Sequence, residues 1–423
     1  MIVVVKEGDT VQSLAKEYGV LASRLIYDNE LPADGQLVAG QALLILYPEE
    51  TYQVKAGDTL FQIGADYGIS VIELVRNNPF VLTNGNLQVG DELVISYAGE
   101  QEKRSLWVNA YAYPFTNEAV LRMGLLFLTE LSVFSYGFTL EGNLIPPKAD
   151  ELLFQADLFG VFPVLVLTSI NEQGVFSNLS VNSLVENENL QDQIIEQLLN
   201  ECLEKGYHAV DVDFEYILAE DREKYVAFIA RLAERMHEEN IQVYVALPPK
   251  ISADQPGLLY EGIDYAGLGA AADGVLLMTY EWGYKYGPPM AVAPIPSVRR
   301  VLDYAVTEIP VDKISMGIPN YAYDWPLPFE RGITVADTIG NTYALQLARE
   351  YGAEIQYDTY AETPFFYYEK EGTEHVVWFE DVRSIQAKFN LVKEYNFRGI
   401  GYWNLLREFR PNWILLQDNF EII

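Results

Sequence analysis

Cysteine is nearly absent: Cys202 is the only one in 423 residues, which excludes an internal disulfide framework. It falls on a helical face with Ile194, Ile195, Leu198 and Leu199, so a core thiol is expected. Histidine is almost as scarce. His208, His237 and His375 show no metal-ligand spacing, and neither a metal nor an organic cofactor is expected. Basic residues are also few, with 28 Lys plus Arg against 61 Asp plus Glu and a formal charge of −33. Without a basic stripe, nucleic acid is excluded as a partner, and an anionic membrane surface would repel the chain. No apolar run approaches the ~20 residues of a membrane span. Met1 to Val5 runs straight into a strand, without the basic segment and cleavage site of a secretory signal.

What is present is ample apolar material. Half of the residues are hydrophobic, and the length suggests two or three domains. Aromatics reach 13 %, with 29 Tyr. They suit either stacking on flat sugar faces or filling the core of a large barrel.

The N-terminal fifth repeats itself. Val5-Lys6-Glu7-Gly8-Asp9-Thr10 answers Val54-Lys55-Ala56-Gly57-Asp58-Thr59, and Tyr18-Gly19, Leu25 and Asn29 answer Tyr67-Gly68, Leu74 and Asn78 at the same offset. Each unit reads as strand, helix, helix, strand. Thr10 caps the first helix and Gly19 ends it. Ser70 caps the second helix of the second unit, where the first unit has Leu21. The Gly-Asp-Thr turn, the Tyr-Gly helix end, the central Asn and the closing Val-Gly-Asp turn resemble the LysM module over nearly all of residues 2–96. Units at 1–48 and 49–98 are expected. The resemblance implies binding of N-acetylglucosamine polymers, chitin or peptidoglycan, in shallow grooves. Those grooves would involve Gly8, Asp9 and Thr10 with Asp28 and Asn29, and Gly57, Asp58 and Thr59 with Asn77 and Asn78. The same residues also suit plain turns and caps. Two modules would raise apparent affinity by effective concentration, and the charged stretch Glu100 to Arg104 reads as a linker.

From residue 105 to 423, short β-rich runs alternate with helical stretches, the pattern of an α/β domain with a parallel sheet. The runs are 106–113, 132–138, 162–168, 209–214, 242–247, 274–280, 314–318 and 399–403. Eight strands over this length predict a TIM-type (β/α)8 barrel. An α+β insertion is expected at about 320–379, with a helix near 342–351 and β-rich runs at 354–359, 364–369 and 374–379.

The sharpest feature is Val210-Asp211-Val212-Asp213-Phe214-Glu215. A strand alternates its faces, so Asp211, Asp213 and Glu215 share one side and the apolar residues the other. In a barrel the acids would point inward and step toward the C-terminal mouth, where such folds keep their chemistry. Like charges so close cannot all ionise, and a carboxylic acid kept protonated can protonate a leaving oxygen.

Asp-x-Asp-x-Glu closing a fourth barrel strand resembles the signature of glycoside hydrolase family 18. Met278-Thr279-Tyr280 on strand six and Trp403 ending strand eight fit the same resemblance, which extends over most of 106–410. It implies a retaining, substrate-assisted hydrolysis. Glu215 would be the acid, Asp213 would hold the acetamido N–H, and Asp211 would share a proton with Asp213. Tyr280 would steady the acetamido carbonyl, Trp403 would stack under the ring, and Met278 and Glu281 would line the substrate. Two departures bear on the substrate: strand three ends Leu167-Thr168-Ser169, and Glu281 stands where many members have Asp.

Paired LysM modules, this barrel and no signal peptide resemble the spore-cortex-lytic glucosaminidases of spore-forming bacteria. The resemblance implies a location in the spore, with peptidoglycan as partner and cortex glycan as substrate; a monomer is expected. The alternatives are a chitinase or chitooligosaccharide hydrolase, and a catalytically inactive glycan-binding lectin, against which the intact acids argue.

Overall fold

The computed structural model describes residues 1–84, 87–99, 103–171 and 174–423; Glu100, Gln101 and Glu102 of the expected linker lie outside them. Near the N-terminus the strand Ile2–Val4 pairs antiparallel with Ala42–Leu44, enclosing the helices Val11–Tyr18 and Ala22–Asp28. Thr10 Oγ1 accepts from Ser13 N at 3.0 Å, Ser13 Oγ accepts from Thr10 N, and Gly19 ends the helix with φ 68°. The pattern recurs with strands Pro48–Gln53 and Glu92–Tyr97 around helices Leu60–Tyr67 and Val71–Asn77, followed by the short helix Phe80–Asn84. Ser70 caps through Glu73 N at 3.1 Å, while Leu21 offers no side-chain cap.

Eight parallel strands close into a barrel: Ser105–Ala112, Glu130–Phe138, Phe162–Thr168, Ala209–Asp213, Gln242–Leu247, Gly274–Leu277, Ile314–Pro319 and Gly399–Trp403. The last pairs with the first, from Gly399 against Trp107 to Tyr402 against Ala110. The outer face of the strands packs on the surrounding helices, where Phe214 stacks with Phe228 and Tyr225. Cys202 lies in that layer, 1 % exposed. The sixth strand is shorter than its sequence suggests. Met278 N still bonds Leu247 O, but Thr279 N and Tyr280 N turn back to the carbonyls two residues earlier. Met278, Thr279 and Tyr280 therefore stand just beyond the strand, at the mouth.

Between the last two strands lies a five-stranded antiparallel sheet with the helix Asn341–Glu350. Two of its strands, Ala322–Pro326 and Asp337–Ile339, carry no clear sequence signal; the first pairs with both Asp337–Ile339 and Thr373–Trp378.

The repeats are not strung on a free tether. Ala42, Leu44, Leu46 and Val75 are buried in one apolar cluster with barrel residues such as Leu125 and Leu416, and Val38 joins the core of the inserted sheet. Ile355 N donates to Ala39 O at 3.0 Å, and Arg383 donates to Gly40 O at 3.1 Å. Thr342 donates to Glu30 at 2.7 Å. Arg410 lies over the Tyr27 ring, 4.1 Å from its centroid, and donates to Tyr27 O. Gln417 reaches Asn77 Oδ1 at 2.5 Å. The described end of the expected linker is also fixed, with Lys103 donating to Gln417 O and Arg104 to Val392 O.

Candidate active site

At the C-terminal mouth a cavity of about 510 Å³ is lined by Asp213, Glu215, Met278, Tyr280, Glu281 and Trp403, together with Tyr111, Tyr113, Phe134 and Tyr260. The fourth strand delivers the acids because its even-numbered residues are drawn outward. Val210, Val212 and Phe214 are buried among the helices, which turns Asp211 and Asp213 into the barrel and leaves Glu215 beyond the strand end at Asp213. Tyr216 then takes a left-handed conformation, φ 59°, and the chain leaves the barrel.

Asp211 is 2 % exposed, and Tyr111 donates its hydroxyl to Asp211 Oδ2 at 2.5 Å. Asp211 Oδ1 and Asp213 Oδ1 are buried without a hydrogen-bond partner among the described residues. Burial pushes the Asp211 carboxyl up to about 6 against the pull of the Tyr111 hydroxyl, and the charge of Glu130 adds to the rise. Asp213 is pushed well above the carboxylate range, first by burial and then by the charges of Glu215 and Asp211. Glu215 is raised by burial and by Glu281, while a hydrogen bond from Tyr216 draws it back. Loss of hydration on burial disfavours the charged forms, and neighbouring negative charge disfavours them further. Such a set can hold a proton near neutrality and release it to a bound oxygen.

The walls are aromatic. Trp403 meets Phe134 at 4.9 Å and Tyr111 at 5.4 Å between ring centroids, both edge-on. Tyr280 is 7 % exposed, and its phenol is raised by burial and then by Asp213 and Glu215. Glu281, at φ 69°, accepts from Tyr323 at 3.0 Å and from Tyr321. Its carboxyl is raised by burial against these two donors. Tyr111, Tyr113, Phe134, Tyr321 and Tyr323 escape the sequence reading. For Tyr111 and Tyr113 a signal exists, since the period-two spacing at the end of the first strand gives both the inward face.

In the repeats, Gly8 and Gly57 have φ of 86° and 94° with open space around them. Asp9 Oδ2 accepts from Lys6 N, and Asp58 Oδ2 from Lys55 N and Tyr52, each at 2.7 Å. Thr10 and Thr59 cap their helices. The other half of the expected grooves needs correction. Asn29 and Asn78 are 2 % and 0 % exposed, and their amides are engaged by backbone. Asn78 Nδ2 donates to Leu74 O and Val94 O, Oδ1 accepts from Val94 N, and Asn29 does the same with Leu25 and Leu44. Asp28 is buried against Arg24, and Asn77 against Ile95 O and Gln417. The three asparagines join helix to strand, and Asp28 pairs with Arg24 within its own helix.

The histidines are dispersed, His237 with Asp273 and His375 with Asp324. Among the described residues no cluster of three or more His, Cys, Asp and Glu could hold a metal ion. No described helix is long and apolar enough to cross a membrane.

Residues 164–408 match the model for glycosyl hydrolases family 18, and residues 3–45 and 52–96 each match the LysM domain. The chain is similar over its whole length to the cortical fragment-lytic enzyme of Bacillus subtilis, 39 % identical over 98 % of that protein. The putative sporulation-specific glycosylase YdhD of the same organism is 31 % identical, across 99 % of this chain and 98 % of its own. Among solved structures, the spore cortex-lytic enzyme SleL of Bacillus megaterium superposes with a TM-score of 0.85 at 38 % identity, covering 100 % of this chain and 98 % of that one.

Proposed function

Since the chain belongs to glycosyl hydrolase family 18 and carries two LysM domains, we propose that it hydrolyses spore-cortex peptidoglycan after N-acetylglucosamine, with retention at the anomeric carbon. The observation that carries this reading is the inward row of Asp211, Asp213 and Glu215, all three raised by burial, with Asp213 and Glu215 lining the cavity.

Glu215 stands furthest toward the mouth and donates its proton to the glycosidic oxygen. The substrate's own acetamido oxygen attacks the anomeric carbon, and Asp213 accepts the acetamido N–H and offsets the positive charge of the cyclic intermediate. Asp211, anchored by Tyr111, shares a proton with Asp213. Tyr280 steadies the acetamido carbonyl, and Trp403 stacks beneath the ring with Met278 beside it. Glu215, now ionised, takes a proton from the attacking water. Glu281 lines the cavity and keeps Glu215 protonated to higher pH.

The turns Gly8-Asp9-Thr10 and Gly57-Asp58-Thr59 supply the exposed half of the glycan grooves, within modules at 1–48 and 49–98 that precede the hydrolase at 105–423. The protein acts as a monomer in the spore. Charge supports a cortex glycan poor in peptide stems, because a chain at −33 is repelled by carboxylate-rich stems within a Debye length of ~8 Å.

The test is mass spectrometry of products from lactam-containing cortex fragments, stemmed wall fragments and chitooligosaccharides, with NMR of the first-formed anomer. Reducing-end N-acetylglucosamine in the β configuration, released fastest from cortex fragments, is expected. Fastest turnover of chitooligosaccharides transfers the reading to a chitinase, and an inverted anomer defeats the mechanism.

A further inference from the structure

Lys250 is fully buried, 0 % exposed, and no carboxylate lies within ion-pair distance of it among the described residues. Taking an ammonium out of water without a counter-charge is expensive unless its hydrogens are all well placed. Its Nζ donates to Ile263 O at 2.7 Å and to Ala253 O at 3.1 Å. These carbonyls sit near the front and at the back of the segment 248–264, which leaves the fifth barrel strand at Leu247 and returns to the helix Tyr265–Ala271. The base of the same segment is closed by Tyr265, whose hydroxyl donates to Pro248 O at 2.6 Å and accepts from Lys250 N at 3.0 Å. One ammonium and one phenol thus hold together a loop with little regular structure of its own.

That loop forms part of the cavity wall through Pro248, Pro249, Leu259 and Tyr260. It also presses on the segment that carries Glu215. At Gly262, beside the carbonyl that Lys250 holds, a Cβ would stand 2.2 Å from Ile217 O, and Ile217 is two residues beyond Glu215. The two backbones are therefore in direct contact, with no side chain between them.

We propose that Lys250 is a positioning residue for this hydrolase: through Ile263 and Gly262 it holds the loop against the Glu215–Ile217 turn. It thereby fixes the placement of the acid and the dryness of its surroundings. The inference rests on Glu215 being the acid. Asp213 and Tyr216 face that carboxyl from its own segment and Glu281 and Tyr280 from beyond the sixth strand, and the loop adds Pro248, Pro249, Leu259 and the phenol of Tyr260 to the cavity wall.

The experiment compares Lys250→Met, Gly262→Ala and Glu215→Gln in the full-length chain, using cortex fragments or chitooligosaccharides, whichever the unsubstituted chain cleaves. Lys250→Met keeps an unbranched side chain one atom shorter but orphans both carbonyls. A loss of kcat/KM on the order of 10- to 100-fold is expected, since small misplacements of a catalytic group are this costly. The basic limb of the pH–rate profile should also move to lower pH, because water reaching Glu215 relieves the burial that raises its pKa. A role in stability alone lowers the unfolding temperature and leaves that limb in place, which overturns the proposal. Gly262→Ala enters the same joint without touching Lys250 and is expected to move the limb the same way. Should Lys250→Met not fold, an unmoved limb in Gly262→Ala overturns it. Near-normal turnover by Glu215→Gln removes the underlying assignment, whereas an inactive Glu215→Gln beside an unmoved limb removes only the role of Lys250.

Discussion

Gly40 and Gly90 occupy the same turn in the two repeats, with φ of 83° and 96°, yet their surroundings differ. Around Gly90 nothing lies within 4 Å of the place a Cβ would take, whereas at Gly40 that atom would stand 1.9 Å from Ile355 O. Alanine at either position is strained by about 1–2 kcal/mol through its left-handed backbone. At Gly40 the methyl group must also push the turn away from the inserted sheet. That separation breaks Ile355 N to Ala39 O and Arg383 to Gly40 O, each worth about 1 kcal/mol. Gly90→Ala is therefore expected to destabilise by about 1–2 kcal/mol and Gly40→Ala by about 3–4 kcal/mol, a large part of an ordinary folding free energy. Urea unfolding of both full-length variants, followed by intrinsic fluorescence and by limited proteolysis, measures the difference. Equal midpoint shifts would show that the first repeat does not depend on the barrel for its stability, and would refute the docked arrangement as an energetic unit.

Glu215→Gln is expected to lower turnover by on the order of 10²–10⁴ with unchanged glycan binding; near-normal rates in a steady-state assay contradict the assignment. Asp211→Asn removes a carboxyl whose folded pKa is raised to about 6. The stability tied to its proton is fully present below the ordinary carboxylate pKa and is lost as pH rises through about 6, so the variant should flatten the fall in unfolding temperature between pH 4 and 6. Asn78→Ala leaves Val94 N and Val94 O without their partner and should cost about 3 kcal/mol while leaving glycan affinity per folded molecule unchanged; calorimetry against pull-down separates the two. Residues 105–423 alone should be less stable and less soluble than the whole chain, because the apolar cover from Ala42, Leu44, Leu46 and Val75 is lost, and an unchanged unfolding temperature would refute this.

The sequence and the structure agree best where a local rule has one physical meaning. Alternation over Val210 to Glu215 marks a strand with one apolar and one acidic face, and the acids stand where period two puts them, although the strand is buried on both faces. Thr10, Ser70 and Gly19 act within a turn of their own position, so capping chemistry alone places them. Agreement fails where tertiary context decides. Nothing local distinguishes an Asn that offers its amide to sugar from one that ties helix to strand, and Asn29 and Asn78 are of the second kind. The strand Ala322–Pro326 has Asp324 and Pro326 in a short run and becomes a strand by pairing on both sides. The charged residues Lys103 and Arg104 have the composition of a linker, yet their long side chains reach barrel carbonyls. Tyr321 and Tyr323 lie some forty residues from the Glu281 they hold, a relation only the fold creates.

Docked repeats change what two modules on one chain can achieve. With a flexible tether, effective concentration follows from linker length, and a polymer could be held in many poses relative to the cavity. Here the first repeat is bonded at Ala39 to Ile355 of the insertion and at Gly40 to Arg383 on the helix Val382–Tyr395, and Arg410 and Gln417, on the helix Arg410–Asn419, reach Tyr27 of the first repeat and Asn77 of the second. The exposed turns at Gly8 and Gly57 therefore keep a set relation to Glu215. A glycan strand engaging a turn gains affinity at the cavity only if its path between the two matches that relation, since effective concentration falls toward zero when the geometry cannot be spanned. On the proposed reading, selection among polymers of similar sugar content then comes from shape and stiffness along the strand as well as from the cavity that holds Glu215.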